Sequence, residues 1–225
     1  MKITYYGHAC FGIQAGETHI LIDPFITGNP LASNIDVESI KADYILVTHA
    51  HQDHVLDVEA IAKRTGATIV SNYEIIMHYS AKDLKGHPVN HGGTYKTKDF
   101  SAKYVNAIHT SSFADGSYGG QPGGFVITSD EKSIYVAGDT ALTMDMKLIP
   151  MHNKIVASIL PIGDNFTMGV DDAMLASDFV ECDKVIGCHF NTFPPIEIDT
   201  QVAKDKFARS QKELILLEIG GEITL

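Results

Sequence analysis

The sequence has few cysteines, no tryptophan and no long apolar run. Three cysteines, Cys10, Cys182 and Cys188, are too sparse and uneven in number for a disulfide framework, so we expect buried free thiols. No uninterrupted apolar stretch is long enough to span a bilayer. The amino terminus shows no basic segment followed by a long apolar one, so we expect no signal peptide and a cytoplasmic location.

Basic residues are also scarce, because 17 Lys and Arg face 28 Asp and Glu, for a formal net charge of −11. This balance disfavours nucleic acid and anionic membrane surfaces as partners, since both favour clustered positive charge. It is compatible with a small-molecule substrate, even an anionic one, because bound metal ions would reverse the local field. A homo-oligomer is equally compatible with the composition.

Strand-like and helix-like segments follow one another twice along the chain. Short β-rich runs separated by glycines occupy the first fifty residues, and such runs resume at residue 101. Apolar residues at helical spacing occur in four segments, residues 55–66, 72–83, 170–182 and 199–211. Gly66 is predicted to cap the end of the first helix, and Thr200 the start of the last.

The two runs divide the chain into similar halves, roughly residues 1–100 and 101–225, around a polar, turn-rich connection at 82–100. We find no linker, low-complexity tract or sequence repeat between them. A length of 225 residues suits one domain with a sizeable core. The pattern therefore predicts a single mixed α/β domain, residues 1–225, in which two mixed sheets pack together beneath outer helices.

The most informative segment is THAHQDH, residues 48–54, which follows a buried β-branched strand. His49, His51, Asp53 and His54 offer the nitrogen and oxygen ligands that zinc and similar transition metals prefer. In an extended chain His49 and His51 point to the same side and can bind one ion. Asp53 and His54 follow as the chain turns and can reach a second ion. The spacing predicts a two-metal site, and the alternative is a solvated loop that is rich in histidine.

Three later apolar strands each end in a further candidate ligand, namely His109, Asp139 and His189. Each alone is a weak signal, because a lone histidine at a strand end is usually structural and Asp139 could cap a turn. Together with the histidine cluster they make seven ligands. Seven ligands divide well between two ions when one carboxylate lies between them.

These residues, in this order, resemble the signatures of the metallo-β-lactamase superfamily: an Asp after an early strand (Asp23 in LIDP), the H-x-H-x-D-H run, and single His, Asp and His residues at later strand ends. The resemblance covers the whole chain and implies a four-layer αββα sandwich. It also implies two ligand sets and a bridge: His49, His51 and His109; Asp53, His54 and His189; and Asp139 between the ions. Asp23 would orient a ligand histidine through its other ring nitrogen, and its alternative reading is a turn residue before Pro24.

Within that superfamily, four segments resemble a small bacterial and archaeal group of metal-dependent hydrolases akin to the lactonase that opens ascorbate 6-phosphate. They are YYGHACF, LIDPFITGNP, PIGDNFTMG and HFNTFPPIE. The resemblance implies that His8 faces the metal site, where it would contact substrate or shuttle a proton. The alternative for His8 is a structural turn histidine.

Polar residues beside the predicted strand ends are further candidates. Asp164, Asn165, Thr167 and Asn191 could line a pocket, although turn and capping roles are the alternative. The hydroxyls of HTSS, residues 109–112, could support the ligands. A serine nucleophile is not expected, because the chain shows no nucleophile-elbow signal.

The predicted function is metal-dependent hydrolysis of a small-molecule ester, lactone or phosphodiester by a hydroxide that bridges two divalent ions. Asp53 or Asp139 would orient the hydroxide, and His8 would donate to the leaving group. Zinc and manganese are the expected metals, and iron also suits these ligands.

Three other functions stay open. The first is a redox di-iron protein of the same fold, as in the flavodiiron oxygen and nitric-oxide reductases. That group places Glu where this chain has His51, and it carries a flavin domain. A phosphodiesterase or nuclease acting on nucleic acid would share the chemistry but usually adds basic surface. A metal-binding protein without catalysis is the third.

Overall fold

Two seven-stranded sheets pack face to face in the computed structural model, which describes all 225 residues. The first sheet has the order β14-β1-β2-β3-β4-β5-β6. Its strands are β1 (Lys2–Gly7), β2 (Cys10–Ala15), β3 (Thr18–Ile22), β4 (Tyr44–Leu46), β5 (Thr68–Ser71), β6 (Gly86–Pro88) and β14 (Glu222–Thr224). The second sheet has the order β13-β12-β11-β10-β9-β8-β7. Its strands are β7 (Thr94–Lys96), β8 (Ser101–Asn106), β9 (Gly123–Ser129), β10 (Lys132–Val136), β11 (Ile155–Pro161), β12 (Lys184–Cys188) and β13 (Glu213–Ile215).

The two sheets share one plan. In the first sheet β1, β2 and β3 form an antiparallel meander, and β4, β5 and β6 then add in parallel. In the second sheet β7 to β10 are antiparallel, and β11, β12 and β13 add in parallel. Parallel pairing needs crossover connections, which is why the helices fall in the later part of each half.

Helices cover the outer faces of both sheets, which confirms the four-layer αββα sandwich. They are α1 (Gln52–Val55), α2 (Val58–Thr65), α3 (Tyr73–Ser80), α4 (Val170–Phe179) and α5 (Thr200–Arg209). Gly66 ends α2 in the left-handed conformation, as predicted, with φ of 72°. The prediction for Thr200 is wrong by one residue, because Asp199 is the N-cap of α5 and accepts hydrogen bonds from the backbone of Gln201 and Val202.

Three apolar layers hold the sandwich together. The central layer lies between the sheets and includes Phe11 and Phe125, which are fully buried. A second layer packs the first sheet against α2 and α3, and a third packs the second sheet against α4 and α5. Strands β4, β5, β11 and β12 contribute to layers on both faces, so they read as continuous apolar runs in the sequence. The three cysteines are buried and unpaired, as expected.

The interpretation of residues 82–100 as a connection is wrong, because this segment contains the edge strands β6 and β7. These strands and β14 have three residues each and little burial, so they lack the alternation by which sequence predicts strands. The structure contains no helix with the length and apolar character needed to cross a membrane.

Candidate metal centre

Six loops bring the candidate ligands together at one end of the sandwich. In the first sheet His8 follows β1, Asp23 follows β3, and His49 to His54 follow β4. In the second sheet His109, Asp139 and His189 follow β8, β10 and β12. Because the parallel strands of a sheet all end at the same edge, side chains placed just after them converge. All seven predicted ligands therefore lie in one cluster.

The first ligand set consists of His49, His51 and His109, whose ligand atoms lie within 4.8 Å of one another. The His51 Nδ1 atom is 3.0 Å from His49 Nε2 and 3.3 Å from His109 Nε2. Extended backbone at His51 directs its ring beside that of His49, and α1 begins at the next residue. The alternation expected in the sequence thus brings both rings to one point.

The second set consists of Asp53, His54 and His189, and His8 lies within the same 4.8 Å. Asp53 and His54 lie in the short helix α1, and His54 is fully buried. The Asp53 Oδ2 atom is 3.7 Å from His189 Nε2 and 3.9 Å from His54 Nε2. These two compact groups lie at the end of the sandwich, and a third, formed by Asp23, His49 and His54, overlaps both of them.

Asp139 lies between the two sets. Its Oδ2 atom is 3.6 Å from His109 Nε2 in the first set and 3.0 Å from His189 Nε2 in the second. Its Oδ1 atom is 3.4 Å from His54 Nε2. This buried carboxylate has the position that a bridging ligand requires.

Asp23 is buried behind the ligands and fixes two of their rings. Its Oδ2 atom accepts from His54 Nδ1 at 2.9 Å and from the Thr48 hydroxyl at 2.6 Å. Thr48 in turn lies 3.0 Å from His49 Nδ1, so its oxygen accepts that proton. In the neutral form of each ring this leaves Nε2 without a proton and facing the cluster. The sequence suggested this role for Asp23 but not the relay through Thr48.

Hydroxyls of the HTSS segment support the first set. The Thr110 hydroxyl lies 3.2 Å from His51 Nε2, so it can accept that proton while Nδ1 faces the cluster. Ser111 accepts from the Ala50 backbone at 3.1 Å and donates to the Gly119 carbonyl at 2.9 Å. These two contacts tie the loop after β8 to the chain between His49 and His51.

His8 lies behind Asp53 and outside the open pocket. Its φ of 56° is left-handed, and its ring packs against His189 with centroids 4.1 Å apart. Burial lowers the pKa of His8 to about 4 despite its hydrogen bond to Asp53. The neutral ring donates from Nε2 to Asp53 Oδ2 at 3.0 Å and accepts at Nδ1 from the Thr192 hydroxyl at 2.9 Å. These contacts let His8 hold Asp53 in place, and Thr192 carried no signal in the sequence.

Carboxylates and burial compete to set the charges in the cluster. Burial opposes the charge on His54, but Asp139 and Asp53 outweigh it and hold the pKa of His54 well above its usual value. The same balance raises the pKa of His189 to about 9. Burial opposes the charge of Asp139 too, but His189 and His54 hold its pKa well below the usual range. A divalent ion would replace these protons on binding.

Unpartnered atoms show that the residues fit a metal. The fully buried His54 Nε2, Asp139 Oδ1 and His189 Nε2 atoms have no hydrogen-bond partner. A buried polar atom without a partner is costly, and such atoms are rare in folded proteins. Here all three belong to the second set or the bridge. A transition-metal ion would satisfy them, since imidazole nitrogen and carboxylate oxygen are its usual ligands.

A pocket of about 320 Å³ opens over the cluster. Its lining consists of His51, Asp53, His109, Thr110, Asp139, Phe166, His189 and Phe193. The four polar residues predicted as candidates do not line it. Asn165 and Asn191 instead take part in local turns, in which the Asn165 backbone donates to Asp164 and the Asn191 side chain accepts from the Ile198 backbone. Phe166 and Phe193 lie in the same two loops, but no feature of the sequence separated them from core aromatics.

Comparisons with known proteins agree with this geometry. A profile of the Beta-lactamase superfamily domain matches residues 2–189. The UPF0173 metal-dependent hydrolase of Christiangramia forsetii is 63% identical to this chain over 226 residues, which cover both chains in full. The UPF0173 metal-dependent hydrolase of Flavobacterium johnsoniae is 60% identical over 225 residues, which also cover both chains in full. The metallo hydrolase Igni18 of the archaeon Ignicoccus hospitalis is 34% identical, with a TM-score of 0.91 over 100% of this chain and 97% of that one.

Proposed function

The chain belongs to the β-lactamase superfamily and is a metal-dependent hydrolase of the UPF0173 type, and from this we propose that it hydrolyses a small-molecule ester, lactone or phosphodiester with two divalent ions. One observation carries the proposal of two ions. Two compact ligand sets lie side by side, and the carboxylate of Asp139, whose Oδ1 atom has no hydrogen-bond partner, lies between them. Zinc and manganese suit these ligands best, and iron also fits them.

One ion would be held by His49, His51 and His109, and the other by Asp53, His54 and His189. Asp139 would bind both ions. When bound, such ions supply an acidified water and polarise the substrate oxygen that gains charge. Thr48 and Asp23 accept the Nδ1 protons of His49 and His54, so Nε2 of each ring is the atom left to bind an ion. Their hydrogen bonds also prevent the rings from rotating, so the ligands are preorganised.

Asp53 is the residue best placed to handle a proton. Its side chain is 29% exposed and reaches the pocket, whereas Asp139 is 4% exposed. Asp53 can therefore orient the attacking water and accept its proton. His8 and Thr192 keep the Asp53 carboxylate in position from the buried side. We propose that His8 positions Asp53 and reaches the leaving group only through it.

His51 argues against the alternative of a redox di-iron protein. His51 contributes a third imidazole to the first set, at the place where flavodiiron reductases carry Glu. Hydrolysis of nucleic acid is weakened by the net charge of −11. Hydrolysis of a small molecule is the function that best fits the ligands and the pocket.

Metal content and turnover test the proposal together. We would purify the protein without added metal, measure metals by elemental analysis, and screen ester, lactone and phosphodiester substrates in the metal found. We expect about two ions per chain, in keeping with a binuclear site. His51→Ala should bind about one ion and lose turnover, and Asp139→Ala should lose both turnover and metal.

The matched control is His19→Ala, because His19 is a partly exposed histidine on β3 outside the cluster. It should keep wild-type metal content and turnover. A metal-depleted His51→Ala protein with full activity would refute the proposed chemistry. Two bound ions without hydrolysis of any substrate would instead support a metal-binding protein.

A further inference from the structure

The loops that form the site contain no lysine or arginine. None of the 17 Lys and Arg residues lies in the segments that carry ligands or line the pocket, whereas nine Asp and Glu do. These segments are residues 7–10, 23–36, 47–57, 107–122, 137–143, 162–169 and 189–199. Enzymes that bind phosphate or carboxylate groups commonly do so with Arg or Lys. This site has neither.

The part of the pocket that is free to contact substrate is mostly aromatic. Once the candidate ligands are set aside, Thr110, Phe166 and Phe193 remain. Phe166 is 54% exposed at the rim. Phe193 is half-buried and packs against His8 and Phe25, with ring centroids 5.4 and 6.2 Å apart, which fixes its position. Two phenyl rings and one hydroxyl favour an apolar or aromatic group.

The backbone does not supply an anion site in place of the missing cations. Helix α4 begins directly after the loop that carries Phe166. Its first turn contains Asp171 and Asp172, and the side chain of Asp164 packs against its N-cap, Gly169. Asp171 is paired with Lys206, and the carboxylates of Asp164 and Asp172 oppose the attraction that a helix N-terminus has for anions.

We infer that the substrate is a neutral molecule with an apolar or aromatic group beside the bond to be cleaved. The site should reject molecules that carry a second anionic group, such as a remote phosphate or carboxylate. The statement that a bond is cleaved rests on the proposed function. The statement about the group beside that bond rests on the residues that line the pocket. The charge of bound metal acts on the reacting group, so a remote anion would meet phenyl rings, carboxylates and the single hydroxyl of Thr110, without a cation.

A matched pair of esters tests this selectivity. The metal-loaded protein would be assayed with 4-nitrophenyl phenylacetate and with its analogue that carries a carboxylate at the para position of the phenyl ring. The leaving group is the same, and the charge lies far from the carbonyl, so intrinsic reactivity is matched. We expect kcat/KM to be at least tenfold higher for the neutral ester. Equal or higher kcat/KM for the carboxylated ester would overturn the inference.

Variants of Phe166, at the rim of the pocket, test whether the absence of a cation causes the preference for the neutral ester. Phe166→Lys adds a cation at an exposed position and should reduce the preference for the neutral ester at least tenfold. Phe166→Leu keeps the apolar character without charge and should retain the preference. If Phe166→Lys leaves the ratio of the two kcat/KM values unchanged, the missing cation is not the determinant.

Binding separates this inference from the proposed reaction. Phenylacetohydroxamic acid and its para-carboxylated analogue would be titrated into the metal-loaded protein by calorimetry, since hydroxamates bind metal sites without being hydrolysed. We expect at least tenfold tighter binding of the neutral hydroxamate. This result without hydrolysis of any ester, lactone or phosphodiester would refute the proposed function and keep the inference. Equal binding of both hydroxamates, or binding of neither, would refute the inference whatever the activity.

Discussion

One buried carboxylate controls two ligands of the cluster. Asp23 is 1% exposed and accepts hydrogen bonds from His54, from the Thr48 hydroxyl and from the Thr48 backbone. Through Thr48 it also fixes the tautomer of His49. An asparagine at position 23 would place an amide N–H group beside the groups of His54 and Thr48, which are themselves hydrogen-bond donors. We therefore expect metal affinity to depend strongly on Asp23, although Asp23 is not itself a ligand.

We predict that Asp23→Asn lowers metal affinity by roughly 10- to 100-fold, because partners behind a ligand have effects of this size. Affinity would be measured by competition with a chromophoric chelator. Asp57→Asn is the matched control, since Asp57 is also buried and accepts from the backbone of Ile26 and Thr27, but touches no ligand. It should lower stability by about 1–3 kcal/mol and leave metal affinity within about twofold. Equal loss of affinity in both variants would contradict the role of Asp23.

Ligands and their supporting residues differ in how well sequence predicts them. His49, His51, Asp53 and His54 form a local pattern directly after a strand, so their spacing alone brings them together. Thr192, by contrast, contacts His8 across 184 positions of sequence. A threonine has no chemistry that marks it in advance, and only the folded chain pairs the two residues.

Among the larger elements, α3 connects the first sheet to the loop that carries His109. Its N-cap is Asn72, whose side-chain oxygen accepts from the Ile75 backbone at 2.9 Å. The amide nitrogen of Asn72 donates to the carbonyls of Gly119 and Gln121 at 2.8 and 3.1 Å. One buried side chain thus caps the helix and anchors the loop.

We predict that Asn72→Ser lowers the free energy of unfolding by about 1–3 kcal/mol, because serine keeps the cap but leaves the two loop carbonyls without a donor. Hydrogen exchange in residues 107–122 should also accelerate relative to the wild type. Denaturant unfolding and exchange mass spectrometry would measure these effects. The control is Asp199→Ser, which changes the N-cap of α5 where no loop is attached, and it should cost less than about 0.5 kcal/mol. An equal loss in both variants would show that only capping matters.

Elements with a helical period or a nearly continuous apolar run were predictable, and those with neither were not. The runs that became β11 and β12 are mostly apolar because these strands are covered on both faces. Strands β6 and β7 pair at the exposed edges of the two sheets, so their sequences carry polar and turn residues that hide the pairing. The N-cap of α5 was displaced by one residue because Asp199 and Thr200 are both good caps.

At the scale of the whole molecule, the two halves are joined by exchange of edge strands and by the cluster. Strand β14 comes from the second half of the chain but pairs with β1, and β7 comes from the first half but pairs with β8. Ligands also come from both sheets, since His49 to His54 follow β4 and Asp139 follows β10. We therefore expect the protein to unfold as one domain and metal to stabilise both sheets together.

Removal of metal should lower the melting temperature of the whole protein in a single transition. With free metal at 100 times its Kd, each ion adds about 2.7 kcal/mol of stability. A chain of this size shifts by roughly 2–4 °C per kcal/mol, so we expect a fall of about 5–11 °C per ion. Calorimetry before and after chelation would measure it, and Asp139→Ala should lose most of the shift. An unchanged melting temperature would contradict the metal centre. If the protein unfolded in two transitions and chelation lowered the temperature of only one, the two sheets would not unfold together. That result would contradict a metal centre whose ligands come from both sheets.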